Sequence, residues 1–280
     1  MITVRSMKPQ DIDAGLSLCR AAHWNQLRQD WEICLRLSPA DCRVAVSKEK
    51  IVGTVTTVRY QHFFSWIGMV LVDSSNRRQG IGNLLLQEAL RVLRKEGTVK
   101  LDATPAGRKL YLKLDFEEEC QIFRMCNQSV MHIEEIPNAR ALQKDELATL
   151  AAFDSKIFGA DRQQLLRWIY EVAPEFAFVI EEGNEIQGYC LGRHGYHFEQ
   201  IGPIVANNKR IARDLVLAAL KNCVVRPAII DVLQDKPEWI AWLKEIGFAE
   251  QRSFIRMYKG KTSFHGMPQN QYAIAGPEFG

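Results

Sequence analysis

Arg77-Arg78-Gln79-Gly80-Ile81-Gly82 stands between an apolar run, Trp66-Ile67-Gly68-Met69-Val70-Leu71-Val72, and a segment in which Leu84, Leu85, Leu86, Ala89, Leu90, Val92 and Leu93 recur at helical spacing. The first run has strand length. The second, with Gln87, Glu88, Arg91, Arg94 and Lys95 largely on its other side, reads as a half-buried helix. The motif is therefore a strand-to-helix loop. The first N–H groups of a helix have no intrahelical partner and its N-terminal end carries roughly half a positive charge, so an anion is stabilised there. Glycines at 80 and 82 leave the backbone open to close approach, and Arg77 and Arg78 add cationic donors. Residues of these types in this order would cradle a diphosphate. A Walker loop needs Gly-x-x-x-x-Gly-Lys-Ser/Thr and a dinucleotide fingerprint needs Gly-x-Gly-x-x-Gly; the spacing fits neither.

The chain that must position this loop has 280 residues, long for one domain, so two domains of ordinary size are expected. Hydrophobic residues make up 47% and charged residues 25%, an ordinary globular composition. No apolar run reaches the length of a membrane span. Met1-Ile2-Thr3-Val4-Arg5 reads as a first strand and lacks the basic and apolar regions of a secretory signal, so export is not expected. Seven scattered cysteines (Cys19, Cys34, Cys42, Cys120, Cys126, Cys190, Cys223), with no Cys-x-x-Cys pair, fit buried thiols in a reducing cytoplasm better than a disulfide frame. No Cys stands beside a His at a nucleophile's spacing. A net charge of +3 without a basic block argues against a nucleic-acid partner. His194-x-x-His197, next to Gly195 and without Cys or carboxylate companions at zinc spacing, reads as a turn, and no metal is expected.

Patterning predicts a strand at Met1–Arg5, helices over Pro9–Ala22 and Trp31–Leu37, and strands over Arg43–Ser47, Ile51–Tyr60 and Ser65–Val72. The loop and its helix follow, then a strand at Val99–Asp102, a short helix over Ala106–Leu114 and a strand at Gln121–Cys126. From Glu134 the layout repeats. Helices over Leu142–Ile157 and Gln163–Val172 precede strands Phe176–Glu181, Gln187–Gly192 and Phe198–Val205. A helix over Ile211–Cys223, a strand Ala228–Leu233, a helix Trp239–Gly247 and a strand Phe254–Tyr258 complete the second copy. This order implies an internal duplication. In the second copy the loop reads Ala206-Asn207-Asn208-Lys209-Arg210-Ile211, where bulky residues replace the glycines and would hold a phosphate off the amides. The segment from Gly260 to Gly280 contains Gly and Pro yet is apolar, and is expected to dock.

Arg-x-x-Gly-x-Gly after a strand ending in Val-Asp resembles the coenzyme A loop of the GNAT acetyltransferase superfamily. Leu110-Tyr111-x-Lys113-Leu114-Asp115-Phe116 is similar to that family's Leu-Tyr-x-Lys-x-Gly-Phe helix, with Asp115 in place of glycine. Trp24-Asn25-Gln26, Asp30-Trp31, Leu101-Asp102-Ala103-Thr104-Pro105-Ala106-Gly107, Ile201-Gly202-Pro203 and Ala275-Gly276-Pro277-Glu278 extend the likeness to bacterial two-domain members over nearly the whole chain. The resemblance implies an α+β fold of two tandem GNAT domains, each a twisted mixed sheet flanked by helices. Residues 1–129 would form the acetyl-CoA-binding catalytic domain, 130–260 a degenerate copy and 261–280 a tail.

It further implies that acetyl-CoA lies where the fourth and fifth strands splay, with its pantetheine along Val70, Leu71 and Val72. Its diphosphate would sit on Arg77, Arg78, Gln79, Gly80, Ile81 and Gly82, with Asn83 in the first helical turn. Tyr111 matches the family tyrosine that protonates the leaving thiolate; a phenol is a donor at neutral pH. A tyrosine packed against the short helix is the other reading. Asp102, at the end of its strand, either takes the acceptor's proton or caps the following turn. Trp24, Asn25 and Gln26 either line the acceptor side or serve as core anchor and helix cap. The implied activity is acetyl transfer to a primary amine of a small molecule by direct attack in a ternary complex; an acyl-CoA sensor without turnover is the alternative. Monomer and homodimer both remain open.

Overall fold

The computed structural model describes residues 1–127, 137–261 and 266–280, which form two compact units. The first holds Met1–Glu118, residues 257–261 and Pro277–Phe279. The second holds residues 119–127, 137–256, 266–276 and Gly280. The sequence boundary at 129/130 lies outside the described residues, and three segments depart from a division at 129 and 260. Residues 119–127 fall in the second unit, residues 257–260 in the first, and the tail after 261 is shared between the two.

The first unit runs β1 (Ile2–Ser6), α1 (Ile12–Ala21), α2 (Arg28–Leu37), β2 (Arg43–Ser47), β3 (Lys50–Tyr60), β4 (Phe64–Val72), α3 (Ile81–Val92), β5 (Thr98–Ala103) and α4 (Pro105–Leu112). Strands β1 to β4 form an antiparallel meander, and β5 joins β4 in parallel. Residues 257–260 belong beside β5, where Lys261 N donates to Gly97 O at 3.1 Å. Helix α3 buries Ile81, Leu85, Leu86 and Ala89 and α2 buries Trp31, Ile33 and Cys34, the inward stripes of two amphipathic helices. Both helices start earlier than the apolar periodicity alone predicts, at Ile81 and Arg28. At α2 the reason is a cap: Asp30 Oδ2 accepts from Leu27 N at 2.6 Å.

The second unit comprises most of β6 (Glu117–Asn127), then β7 (Arg140–Ala141), α5 (Leu147–Phe158), α6 (Gln163–Val172), β8 (Phe178–Glu182), β9 (Glu185–Arg193), β10 (Glu199–Ala206), α7 (Lys209–Leu220), β11 (Ala228–Leu233), α8 (Pro237–Glu245), most of β12 (Phe248–Gly260), and β13 (Gln271–Ala273). The order of strands and helices in the first half of the chain recurs in the second. Helix α5 begins five residues later than the pattern predicts, because Glu146 folds back to accept from Gln143 N at 2.7 Å and closes a short turn ahead of it. The tail supplies a strand that the sequence reading did not contain, β13, paired antiparallel with β10.

Strand β6 pairs antiparallel with β11 from Ile122–Leu233 to Cys126–Ile229, which explains its place in the second unit. At the centre of this pairing Arg124 donates to both oxygens of Asp231 at 2.7 Å, and both side chains are buried. Removing one partner strands a charge away from water, a cost of about 3–5 kcal/mol. Arg124→Ala is therefore expected to lower the urea midpoint steeply, and a midpoint equal to wild type would refute that account of the pairing.

Candidate active site

Strands β4 and β5 pair only at Ser65–Val99 and Trp66–Lys100, although both run on for several residues. Met69, with φ +48°, marks the parting, and the β3–β4 register shifts between Thr54 and Thr56. Such a bulge bends a strand and ends regular pairing. Beyond it the β5-facing edge of β4 is exposed to an extended ligand that could pair with its backbone. Asp73 then turns the chain. Its N–H donates to Val52 O at 2.9 Å and its Oδ1 accepts from Ser75 N at 2.8 Å, bonds from Ser75 that hold its carboxyl below the usual range.

The loop reaches α3 through two left-handed residues, Arg78 at φ +63° and Gly80 at φ +78°. Gly80 occupies the cap position of α3, and no side chain caps it. The first-turn amides are thus open to an anion. The two glycines serve different ends. A Cβ on Gly80 would have open space, so glycine is needed there for its φ. A Cβ on Gly82 would approach Leu110 Cδ2 to 3.3 Å, so the glycine lets α3 and α4 pack closely there. Arg77 and Arg78 are exposed, with Arg77 Nε donating to Val72 O at 3.3 Å.

In the second unit the corresponding helix, α7, carries its own cap. Asn208 Oδ1 accepts from Ile211 N at 3.0 Å, and Lys209 and Arg210 are engaged with Glu238 and Glu182. Degeneracy here is more than lost glycines, since a side-chain oxygen already takes up a helix amide.

The parted strands, the loop and α4 surround a cleft of about 800 Å3 in the first unit. Val70, Leu71 and Val72 line it from β4, Arg77, Arg78, Gly80, Ile81, Gly82 and Asn83 from the loop and α3, and Tyr111 with Leu110 from α4. Trp24 reaches it from the loop between α1 and α2, a loop held by Trp24 N donating to Cys19 O at 2.9 Å. His23, Asn76, Thr104 and Gly107 also line it; the last two stand in the family-like run Leu101–Gly107, but no site role was read for any of the four from the sequence. Gln79, Asn25, Gln26 and Asp102 do not line it. Asn25 and Gln26 are buried, and Gln26 Oε1 has no hydrogen-bond partner among the described residues. Asp102 is half-buried near the end of β5, and the cap of α4 is Thr104, whose Oγ1 accepts from Gly107 N at 3.2 Å.

Tyr111 is 8% exposed, and burial pushes its phenol up to about 12. The hydroxyl therefore keeps its proton through the neutral range and can donate it. A Cβ on Gly107 would stand 3.0 Å from the Tyr111 ring, so that glycine makes room for it. Asp115, in the family's glycine position, has φ +60°, a conformation Asp tolerates, and Lys259 Nζ donates to it at 3.1 Å.

The cysteines are poor nucleophiles. Burial pushes the thiols of Cys19 and Cys223 up to about 12 and Cys42 to about 11, and raises Cys34, Cys126 and Cys190. Six of the seven are buried and Cys120 is intermediate. In the native protein dithionitrobenzoate should titrate no more than one thiol quickly; several fast thiols would contradict this packing. His194 Nε2 lies 2.8 Å from Glu175, and His194 Nδ1 lies 2.9 Å from Glu199. Among the described residues no His, Cys, Asp and Glu gather as a metal site, and no helix is long and apolar enough to cross a membrane.

In the first unit the fourth and fifth strands of a mixed sheet part beside an uncapped helix N-terminus. Models of the acetyltransferase (GNAT) domain match residues 38–118 and residues 150–273. The chain belongs to the GNAT acetyltransferases, with two such domains in tandem, and is an acyltransferase. It is 26% identical over 264 residues to holothin acyltransferase of Pseudoalteromonas sp. (strain SANK 73390), covering 93% of this chain and 88% of the relative. The crystal structure of a Pyrococcus horikoshii protein assigned as an acetyltransferase superposes with a TM-score of 0.86 at 24% identity, over 100% of this chain and 96% of that one. A tandem GNAT protein from the clavulanic acid biosynthesis pathway superposes with a TM-score of 0.63 at 14% identity, over 94% and 100% of the two chains.

Proposed function

We propose that the protein transfers an acetyl group from acetyl-CoA to a primary amine of a small molecule, by direct attack within a ternary complex. The observation that carries this reading is the joining, in one cleft, of the parted edge of β4, the uncapped start of α3 and the Tyr111 phenol. The cleft fits the donor. A diphosphate would rest on the amides after Gly80 and on Arg77 and Arg78, with Gln79 at the rim and Asn83 beside it, and the pantetheine amides would pair with Val70 to Val72. Bound acetyl-CoA would supply the thioester carbonyl that the amine attacks.

Tyr111 gives its proton to the departing sulfur. Trp24 closes the inner end of the cleft, and Asn25 and Gln26, buried next to it in the chain, support the loop that carries it. Asp102 is a candidate relay for the acceptor's proton. The first domain carries the transfer, a reading supported by the side-chain cap that already occupies the start of α7 in the second. Kinship with holothin acyltransferase supports acyl transfer.

Thiol release during incubation with acetyl-CoA and a panel of small primary amines tests the reading. Amine-dependent release supports it. Binding of acetyl-CoA without release from any amine would favour a sensor.

A further inference from the structure

The second unit repeats, position by position, the parting of strands seen in the first. Strands β10 and β11 pair in parallel only at Glu199–Ala228 and Gln200–Ile229, as β4 and β5 do at Ser65–Val99 and Trp66–Lys100. Counting on from these pairs, Gly202 takes the place of Gly68, and Ile204, Val205 and Ala206 take those of Val70, Leu71 and Val72. The bulge recurs too. From Ile201 to Ile204 the partner strand β9 advances only from Gly192 to Cys190, and from Gly68 to Leu71 the partner strand β3 advances only from Thr56 to Thr54.

In the second unit the chain itself fills the gap. Strand β13 pairs antiparallel with β10 at Ile204–Ala273 and Val205–Gln271, the positions that answer to Val70 and Leu71. Across the gap Ile274 N donates to Asp231 O of β11 at 3.0 Å, and at the far end of β10 Asn270 Nδ2 donates to Ala206 O at 3.0 Å. Trp239 of α8 donates from Nε1 to Tyr272 O at 3.0 Å. The segment therefore satisfies backbone groups on both parted strands, the kind of pairing an extended ligand makes with a strand edge. It is closely seated. Gln271, Ala273 and Ile274 are buried, Gln271 Nε2 donates to Ile157 O at 3.0 Å, and a Cβ on Gly202 would collide with Ile274 O. The second copy also has no phenol at the place of Tyr111: Leu243 precedes Phe248 by the same interval at which Tyr111 precedes Phe116.

We propose that the parted strands of the second domain form a binding site for an extended peptide strand, and that its ligand is Gln271–Ile274 of the same chain, seated where a pantetheine arm would otherwise lie. The comparison with pantetheine rests on the donor reading of the first domain. The strand closes the second domain to an acyl donor independently of the glycines missing from its loop. A tethered strand acts at an effective concentration of about millimolar, so a donor from solution would have to displace it as well as bind.

Hydrogen exchange on the full chain, read by mass spectrometry with and without saturating acetyl-CoA, tests the assignment. Without ligand, Ile204–Ala206 should exchange at least about 10-fold more slowly than Val70–Val72, because the edge of β4 beyond its bulge faces the open cleft. Acetyl-CoA should slow Val70–Val72 and leave Ile204–Ala206 and Gln271–Ile274 within about twofold. Ile274→Pro removes the N–H that Asp231 O accepts and should speed Ile204–Ala206 by at least about 10-fold with Val70–Val72 unchanged; the wild-type comparison decides alone should this variant not fold. Restoring both glycines, with Asn208→Gly and Arg210→Gly, should still give one acetyl-CoA site per chain by calorimetry. Equal exchange of the two strands without ligand, a change in Gln271–Ile274 on adding acetyl-CoA, unaltered protection in folded Ile274→Pro, or a second acetyl-CoA site in the glycine variant each overturns the assignment. Acetyl-CoA that changes neither strand, with Ile204–Ala206 still protected, overturns the donor reading of the first domain and leaves the strand site standing.

Discussion

Tyr111→Phe should lower kcat for thiol release by about 100-fold while leaving the acetyl-CoA dissociation constant within about twofold of wild type. The substitution removes only the hydroxyl. The ring keeps its edge contact with Phe116, at 6.0 Å between centroids, and its place over Gly107, so α4 should hold its position. What is lost is a proton donor whose value lies in its burial. With the phenol raised to about 12, ionisation of Tyr111 does not begin to compete until well above neutral pH. The activity of wild type should accordingly show no loss attributable to Tyr111 between pH 7 and pH 10. If the variant turns over at the wild-type rate under single-turnover conditions, the phenol is a packing residue and sulfur is protonated by another route.

The second large effect concerns the anion end of the cleft. Gly80→Glu and Gly82→Glu should each weaken acetyl-CoA binding by at least about 100-fold, close to 3 kcal/mol, for separate physical reasons. At residue 80 the backbone is left-handed at φ +78°, so a side chain there strains the turn that aims the amides, even though its Cβ meets open space. At residue 82 the Cβ presses on Leu110, and the carboxylate enters the space between α3 and α4. Both also bring a negative charge to the end of the helix that favours an anion. Gly80→Ala separates the terms. It carries the strain without the charge and should bind with intermediate affinity. Calorimetry on the three variants, with thermal midpoints as folding controls, reads the series.

Much of this site was legible in the residues. The loop between β4 and α3 announced itself because the apolar period changes from strand to helix around two glycines, whereas Val70 to Val72 and Tyr111 were expected at the cleft only from the family resemblance. The extent of the long strands was not legible. Glu117, Glu118 and Glu119 open β6 on its exposed side, where charge gives no apolar alternation to read. Nor was it legible that residues 119–127 and 257–260 would settle in the units they did, since strand propensity names no partner; it is Arg124 meeting Asp231 that fixes the first case.

The cap of α7 had a readable signal. Asn208 stands directly before the helical run, the usual place for a residue that satisfies a first-turn amide. The sequence reading weighed that loop only for its missing glycines. Glu278 had no such signal. The apolar tail was expected to dock, but its docking place was not legible; the hydrogen bonds from Trp66 to Pro277 O and from Tyr60 to Phe279 O show it, with Glu278 buried between them.

The central claim is that one of the two GNAT domains, the first, holds the acyl donor in the cleft that Tyr111 lines. Titration of acetyl-CoA into the wild-type protein by calorimetry tests it most directly. The expected result is saturable binding of one acetyl-CoA per chain, lost in Gly82→Glu and retained when Asn208 and Lys209 of the second domain are replaced by alanine. Two equivalent sites per chain, no binding, or binding that survives Gly82→Glu and disappears with the second-domain substitutions would contradict the account.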